Sequence, residues 1–328
     1  MSTRSGSKRK IVTIGGGTGS FVVLSGLKSF PVDISAIVGM FDDGGSTGVL
    51  RKDLNVLPPG DVRQCLAALS EPDHPLREVL EYRFSEGFLS GHSLGNIILS
   101  ALEKNTGSMA RAIDALSALM NITHGVIPVT LQQATLCASF ESGEKILGQD
   151  TINKTSLSHR PFRLELVPKV EINPRARKAI LEADTIVLNP GDLYTSIIPN
   201  FLVQGMKEAL LQSQAQIIHV ANIMSTHGHT DRLTVVDHQR ILAGYMHPRR
   251  IDCVIYNTAV PNRELFHAYN AQNQHPVEPG DLAGEEGVRF IGEDLIDRKI
   301  YRKKAGDTLQ RSFIRHNAAR LAEIICEL

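Results

Sequence analysis

The stretch that most constrains this chain is Ile11 to Gly19, IVTIGGGTG, an apolar run that breaks directly into glycines. Lys10 to Ile14 is β-branched and bounded by glycine, which predicts a buried parallel strand. Ser20 to Lys28 carries apolar residues at helical spacing, with Ser20 placed to cap the helix start. Glycines let a backbone approach a ligand closely, and the first N–H groups of a helix have no partner within it. Gly15, Gly16, Gly17, Thr18 and Gly19 therefore suit a phosphate. The dinucleotide fingerprint is absent, because the sixth residue counted from Gly15 is Ser20, and no lysine follows Gly19 as a Walker loop requires. The corner favours a phosphate, but neither NAD nor P-loop chemistry. The alternative is a tight turn that holds no ligand.

Composition narrows the partners. Lys plus Arg (35) balances Asp plus Glu (35), so no global field favours nucleic acid or an anionic membrane, and the expected ligand is small. Cys65, Cys137, Cys253 and Cys326 are scattered without a C-x-x-C pair, which suits a reducing compartment and argues against a zinc ribbon or disulfide framework. No run approaches the ~20 apolar residues of a membrane span, and the expectation is a cytoplasmic protein. Its 328 residues can bury a large core. They read as a flexible tail at 1–9 and one α/β domain over 10–328, with a helical segment about 62–120 and an antiparallel β insertion about 126–170.

Strands then alternate with helices. Ile34 to Val38 predicts a second strand, running into an acidic glycine-rich loop from Gly39 to Gly48. A doubly wound sheet binds ligands outside the carboxyl ends of its strands, so this loop belongs beside the Gly15 turn. Either Asp42 or Asp43 contacts ribose hydroxyls or the polar part of a ligand, or one of them helps hold Mg²⁺ that bridges to phosphate. In Pro58 to Gln64, Asp61 is placed as a helix N-cap and Arg63 as a pair for a carboxylate or a clamp on phosphate. Pro72 to Phe88 reads as helical. The loop from Gly91 to Asn96 heads another helix and offers backbone N–H groups, Ser93 and Asn96 to a ligand; His92 beside Ser93 is a poor triad, since adjacent residues rarely face each other.

Val126 to Thr130, Ala134 to Phe140 and Leu164 to Val167 predict the antiparallel insertion. Asn173-Pro174 opens a helix, Thr185 to Leu188 is a buried strand, and Asn189-Pro190-Gly191-Asp192 repeats the strand, glycine loop, helix pattern. Gly191, Thr195 and Ser196 are its candidate donors, the second jaw of a cleft. Gln216 to Val220 and Cys253 to Asn257 are further strands, with a short edge strand at Val288 to Ile291. His227 and His229 lack zinc spacing and an obvious third ligand. A final helix is expected from Ile314 to Leu328. A cation near a helix start is disfavoured by the dipole, so Arg315 points either to an anion or to plain exposure.

IGGGTGS at Ile14, FDDGGSTG at Phe41, LPPGDVRQCLAAL at Leu57, GHSLGNIILSAL at Gly91, INPRARKAI at Ile172, NPGDLYTSIIPNFLV at Asn189 and ANIMS at Ala221 together resemble the CofD-like superfamily, and within it the YvcK branch of gluconeogenesis factors. The pattern departs from that branch at Thr47 and Gln64, at Asn189 and Asp192 where glycine and serine are typical, and at His227 and His229 where a Pro-Gly-Glu run is common. Asp192 adds negative charge beside the expected phosphate region. The resemblance implies a three-layer α/β/α, Rossmann-like, mostly parallel sheet. For YvcK-like members it implies a regulatory binder of UDP-sugars such as UDP-N-acetylglucosamine, linked to cell shape, cell-wall synthesis and carbon metabolism. On that reading no cofactor is required and no residue is catalytic, while Arg63 or Arg315 neutralises phosphate. For CofD members it implies a Mg²⁺-dependent 2-phospho-L-lactate transferase acting on a deazaflavin, with Asp43 and Asp61 as the metal ligands. A homo-oligomer and regulatory protein partners fit either reading, and no residue specifies them.

Overall fold

The most β-branched segments of the chain become the inner strands of the sheet, and the glycine-rich segments become the connections at one edge of it. The computed structural model describes residues 8–155, 163–299 and 314–328. Most of the expected N-terminal tail lies outside the described residues. Strand β1 (Arg9–Gly15) already includes Arg9, whose guanidinium donates to Thr185 Oγ1 at 2.5 Å and to Cys326 O at 3.0 Å.

The first half of the chain continues with α1 (Gly17–Leu27), β2 (Val32–Val38), α2 (Gly45–Leu54), α3 (Gly60–Leu69), α4 (Pro75–Glu81), α5 (Leu94–Thr106), α6 (Met109–Leu119) and β3 (Gly125–Pro128). Next come β4 (Thr135–Ser139), β5 (Lys145–Leu147), α7 (Gln149–Lys154), β6 (Arg163–Val167), α8 (Pro174–Glu182) and β7 (Thr185–Leu188). A π-helical turn at Leu193–Ile197 runs into α9 (Ile198–Phe201), then α10 (Met206–Gln212), β8 (Gln216–Val220), α11 (Val235–Met246), β9 (Cys253–Asn257), α12 (Arg263–Asn270), β10 (Arg289–Glu293) and α13 (Ala318–Glu327). Several starts are set by local polar caps. Ser93 accepts from Asn96 N, Asn173 from Arg175 N, and Thr234 forms a reciprocal box with Asp237.

Seven strands form one parallel sheet in the order β10-β9-β8-β7-β1-β2-β3, and β5-β4-β6 form a small antiparallel one. The chain winds outward from β1 to β3, then returns to β7 and winds the other way. The order therefore reverses between β1 and β7, the crevice where such sheets take their ligands. Helices cover both faces, with α1, α3 and α13 packed together on one side and α8 with α10 on the other. One continuous apolar core joins these layers.

Several expectations change. Strand β3 pairs parallel to β2, from Ser35 opposite Gly125 to Val38 opposite Pro128, so the antiparallel unit starts only at β4. Its Val-Ile-Pro run lacks polar alternation, as befits a strand of a buried parallel sheet, and Pro128 is tolerated because β3 is an edge. Helix α4 stops at Glu81 rather than Phe88; the chain turns back through an Arg83–Ser93 bridge and leaves Phe88 95% exposed. The loop after β2 is shorter than expected, since α2 begins at Gly45. Asp61 is not the cap of α3: Pro59 holds that position, and Asp61 lies in the first turn. The last helix starts at Ala318, capped by Asn317, so Arg315 precedes it and the dipole argument does not apply.

Candidate functional site

The carboxyl ends of β1 and β7 carry two similar corners. At the first, Gly16 is extended and caps α1 without a side chain, and Gly17 turns at φ +64°, a conformation that favours glycine. Gly17, Thr18 and Gly19 are half-buried, and among the described residues nothing accepts a hydrogen bond from their N–H groups. Ser20 does not cap the helix. Its hydroxyl donates to Gly16 O at 3.1 Å and accepts from Asn189 Nδ2 at 2.8 Å, which ties the two corners together.

Close approach explains two of the glycines. A Cβ on Gly19 would lie 1.7 Å from Pro190 O of the second corner, and one on Gly16 would lie 2.0 Å from Asp61 Oδ2. The Asp61 carboxylate, braced by Gln64 Nε2 at 3.4 Å, thus stands beside the start of α1, where the positive end of the helix favours an anion.

The loop after β2 is held to β1 by Gly39 N donating to Gly15 O at 3.4 Å. Burial pushes the Asp42 carboxyl above its ordinary range, against the hydrogen bonds it accepts from Gly44 N and Thr47. Asp43 is turned to the insertion and accepts from Asp150 N at 2.7 Å. The two carboxylates expected to share Mg²⁺ therefore face different elements, Asp43 facing α7 and Asp61 facing Gly16. Among the described residues no three His, Cys, Asp or Glu side chains are placed to hold a metal ion.

A polar chain lines the flank of this loop. Arg63, 6% exposed, donates from Nε to Asn96 Oδ1 at 3.0 Å; Asn96 Nδ2 donates to Ser46 Oγ at 3.3 Å; Ser46 Oγ lies 3.0 Å from His92 Nδ1. Arg63 fixes the amide of Asn96, which leaves α5 beside the β2 loop. Ser93 is spent on capping Asn96 N at 3.2 Å. Arg315 is half-buried on a segment pinned to the end of β8, where His316 Nε2 donates to Ala221 O at 3.1 Å.

The second corner satisfies itself. Asp192 Oδ1 accepts from Tyr194 N at 3.1 Å and Thr195 N at 3.0 Å, and lies 2.8 Å from Thr195 Oγ1. Gly191 exchanges two hydrogen bonds with the Asn222 side chain, at 2.8 and 2.7 Å. Ser196 N donates to Asp192 O at 2.9 Å, and its side chain remains half-buried against Gly191.

The charge that Asp192 brings is met by His229, whose Nδ1 lies 3.2 Å from Asp192 Oδ2 and whose Nε2 lies 3.1 Å from Ile152 O of α7. Burial works against both ions, but the mutual hydrogen bond prevails: Asp192 is held below the usual carboxylate range and His229 above the usual imidazole range. Asn153 of α7 adds a contact of 2.7 Å to Thr195 Oγ1. Ser46, Asn153 and His229 were not legible as site residues. Asn153 and His229 lie far along the chain from the corners they join, and the departures at Asp192 and His229 stood apart in the sequence.

Fold and corner together define a Rossmann-like protein with an anion-competent glycine turn at the switch point of its sheet. The chain belongs to the CofD family: the model of that family, described as 2-phospho-L-lactate transferase CofD, matches residues 11–296. The chain is 36% identical over 325 residues to a gluconeogenesis factor of Bacillus subtilis, covering 98% of this chain and 99% of that one. It is 39% identical over 284 residues to one of Listeria innocua, covering 86% and 88%. A crystal structure of a UPF0052 family member from Bacillus halodurans superposes with a TM-score of 0.90 at 35% identity, covering 98% of this chain and all of that one. No helix among the described residues is long and apolar enough to cross a membrane.

Proposed function

We propose that this protein is a regulatory binder of a nucleoside diphosphate sugar, with the diphosphate on the Gly17, Thr18 and Gly19 amides. The single observation that carries the reading is the contrast in backbone donors. The first corner presents helix-start N–H groups with no described acceptor, whereas the second spends its own on Asp192. Asp42, on the loop held to β1, supplies an acceptor for sugar or ribose hydroxyls, and Asn96, hydrogen-bonded to Ser46 at the end of that loop, a donor. Arg315, half-buried on the segment pinned to the end of β8, is the cation we assign to offset phosphate charge. The gluconeogenesis factor names of the relatives fit a role in carbon metabolism.

One observation favours a second reading, transfer of a phosphorus-containing group as in the CofD name. Asp61 places a carboxylate beside the anion corner, where a simple phosphate binder would be repelled by it. Mg²⁺ characteristically takes one or two carboxylates plus substrate phosphates, so Asp61 fits as its one protein ligand; when bound, the ion would neutralise charge on a leaving diphosphate.

Calorimetry with UDP-N-acetylglucosamine, UDP and GDP, each with and without Mg²⁺, tests both. Saturable heat for a uridine ligand, lost in Gly17→Ala, supports the binder. No heat with any of them ends both readings. Binding of GDP alone, only with Mg²⁺ and abolished in Asp61→Asn, moves the assignment to the transferase.

A further inference from the structure

Both ring nitrogens of His229 face acceptors, Asp192 Oδ2 on one side and Ile152 O on the other. A carbonyl oxygen and an ionised carboxylate can only accept, so both nitrogens must donate, and only the imidazolium has two N–H groups. The side chain is 0% exposed, so water cannot replace a lost partner.

This cation sits at a junction. Through Asp192 it braces the turn after β7, and through Ile152 it grips α7. At its other points α7 reaches Thr195 by way of Asn153 and Asp43 by way of Asp150 N. The short helix thereby spans the loops after β2 and β7, the two walls of the switch-point crevice.

We propose that His229 is a positioning residue of the candidate cleft: as an imidazolium it locks α7 across the β2 and β7 loops, so the cleft is assembled only while that ring is protonated. This rests on the binding reading above for its consequence, but not for its physics. Among the described residues, the charged groups on the surrounding elements leave Asp192 as its one ionic partner. Asp150 and Lys154 of α7 pair with each other at 2.5 Å, and His227 faces Asp231 on the same loop at 3.7 Å. Loss of the proton leaves one N–H for two buried acceptors, and either the turn or α7 is released.

The test begins without ligand. Side-chain NMR of the histidines should show one ring titrating above the ordinary 6.5 that vanishes in His229→Gln. Amide exchange in 150–154, corrected for the intrinsic rate, should lose about tenfold protection as pH passes that midpoint, while β1 stays unchanged. In His229→Gln the same amides should show the lower protection at every pH. A His229 ring that titrates at or below 6.5, or equal protection in both proteins at all pH values, overturns the proposal. UDP-N-acetylglucosamine calorimetry at one pH below and one above the midpoint found by NMR supplies the second arm. About tenfold weaker binding at the higher pH in the native protein alone supports the positioning role. Equal binding at both, with the ring titrating as expected, overturns it. No binding in either protein fails the nucleotide reading, and exchange then judges the lock alone.

Discussion

The two glycine corners of the switch point start from nearly the same sequence pattern and end with opposite chemistry. After β1 the chain offers helix-start amides that no described residue accepts, and its nearest anion, Asp61, comes from another helix. After β7 the loop supplies its own anion, and Asp192 takes up Tyr194 N and Thr195 N. A strand, glycine loop, helix corner can either receive a ligand or close on itself: Gly16 caps α1 with no side chain, whereas Asp192 caps the π-helical turn with its own carboxylate. The second corner is therefore a wall of the crevice rather than a second phosphate jaw.

The comparison is most sharply broken at Asp192. Replacing it by alanine removes the acceptor of the turn and strands a buried imidazolium, and should cost about 3–5 kcal/mol in urea unfolding near pH 6. The sign with pH follows from the shifts. His229 is raised above 6.5, so its contribution is complete below 6.5 and fades as pH rises through the folded value. Asp192 is depressed below 3.8, so its share is present above 3.8 and is lost as pH falls through the folded value. The native protein should hold a plateau between those limits that Asp192→Ala lacks; equal losses at every pH would show that the pair is not ionic.

Next in size is the contact between the corners. Gly19→Ala drives a methyl into Pro190 O, a backbone atom that cannot rotate away, and should cost about 2–3 kcal/mol in the same measurement. An unchanged midpoint would mean that the corners are not in contact. The smallest stability effect belongs to Asp61→Asn. It removes one favourable carboxylate at the start of α1, about 0.5–1 kcal/mol, yet it should strengthen Mg²⁺-free binding of UDP as the repulsion disappears. Weaker UDP binding without Mg²⁺ would show that Asp61 contacts the ligand as an acceptor.

Much of this was legible in the residues. The predominantly apolar runs at Ile11, Ile34, Thr185, Ile217 and Cys253 marked the inner parallel strands, because a strand buried on both faces needs no polar alternation. The Gly15 turn was legible for the same reason that it is useful: the φ of Gly17 favours glycine, and the Asp61 carboxylate approaches Gly16 too closely for a Cβ. What stayed hidden were contacts made at long range. Nothing local tells that Arg63 will be consumed by Asn96 or that Asp43 will face Asp150, whereas the unalternating Val-Ile-Pro run of β3 was a local sign of the parallel sheet that its place beside the insertion obscured. Two departures from the branch pattern, Asp192 and His229, looked like separate oddities and are one ion pair.

The central claim is that an anionic diphosphate meets the first corner and not the second. Backbone amide NMR during titration with UDP-N-acetylglucosamine tests it most directly. The account predicts large downfield shifts of the Gly17, Thr18 and Gly19 amides, with Tyr194 and Thr195 nearly still. Shifts concentrated at Tyr194 and Thr195, or a saturating ligand that leaves Gly17 to Gly19 unmoved, would contradict it.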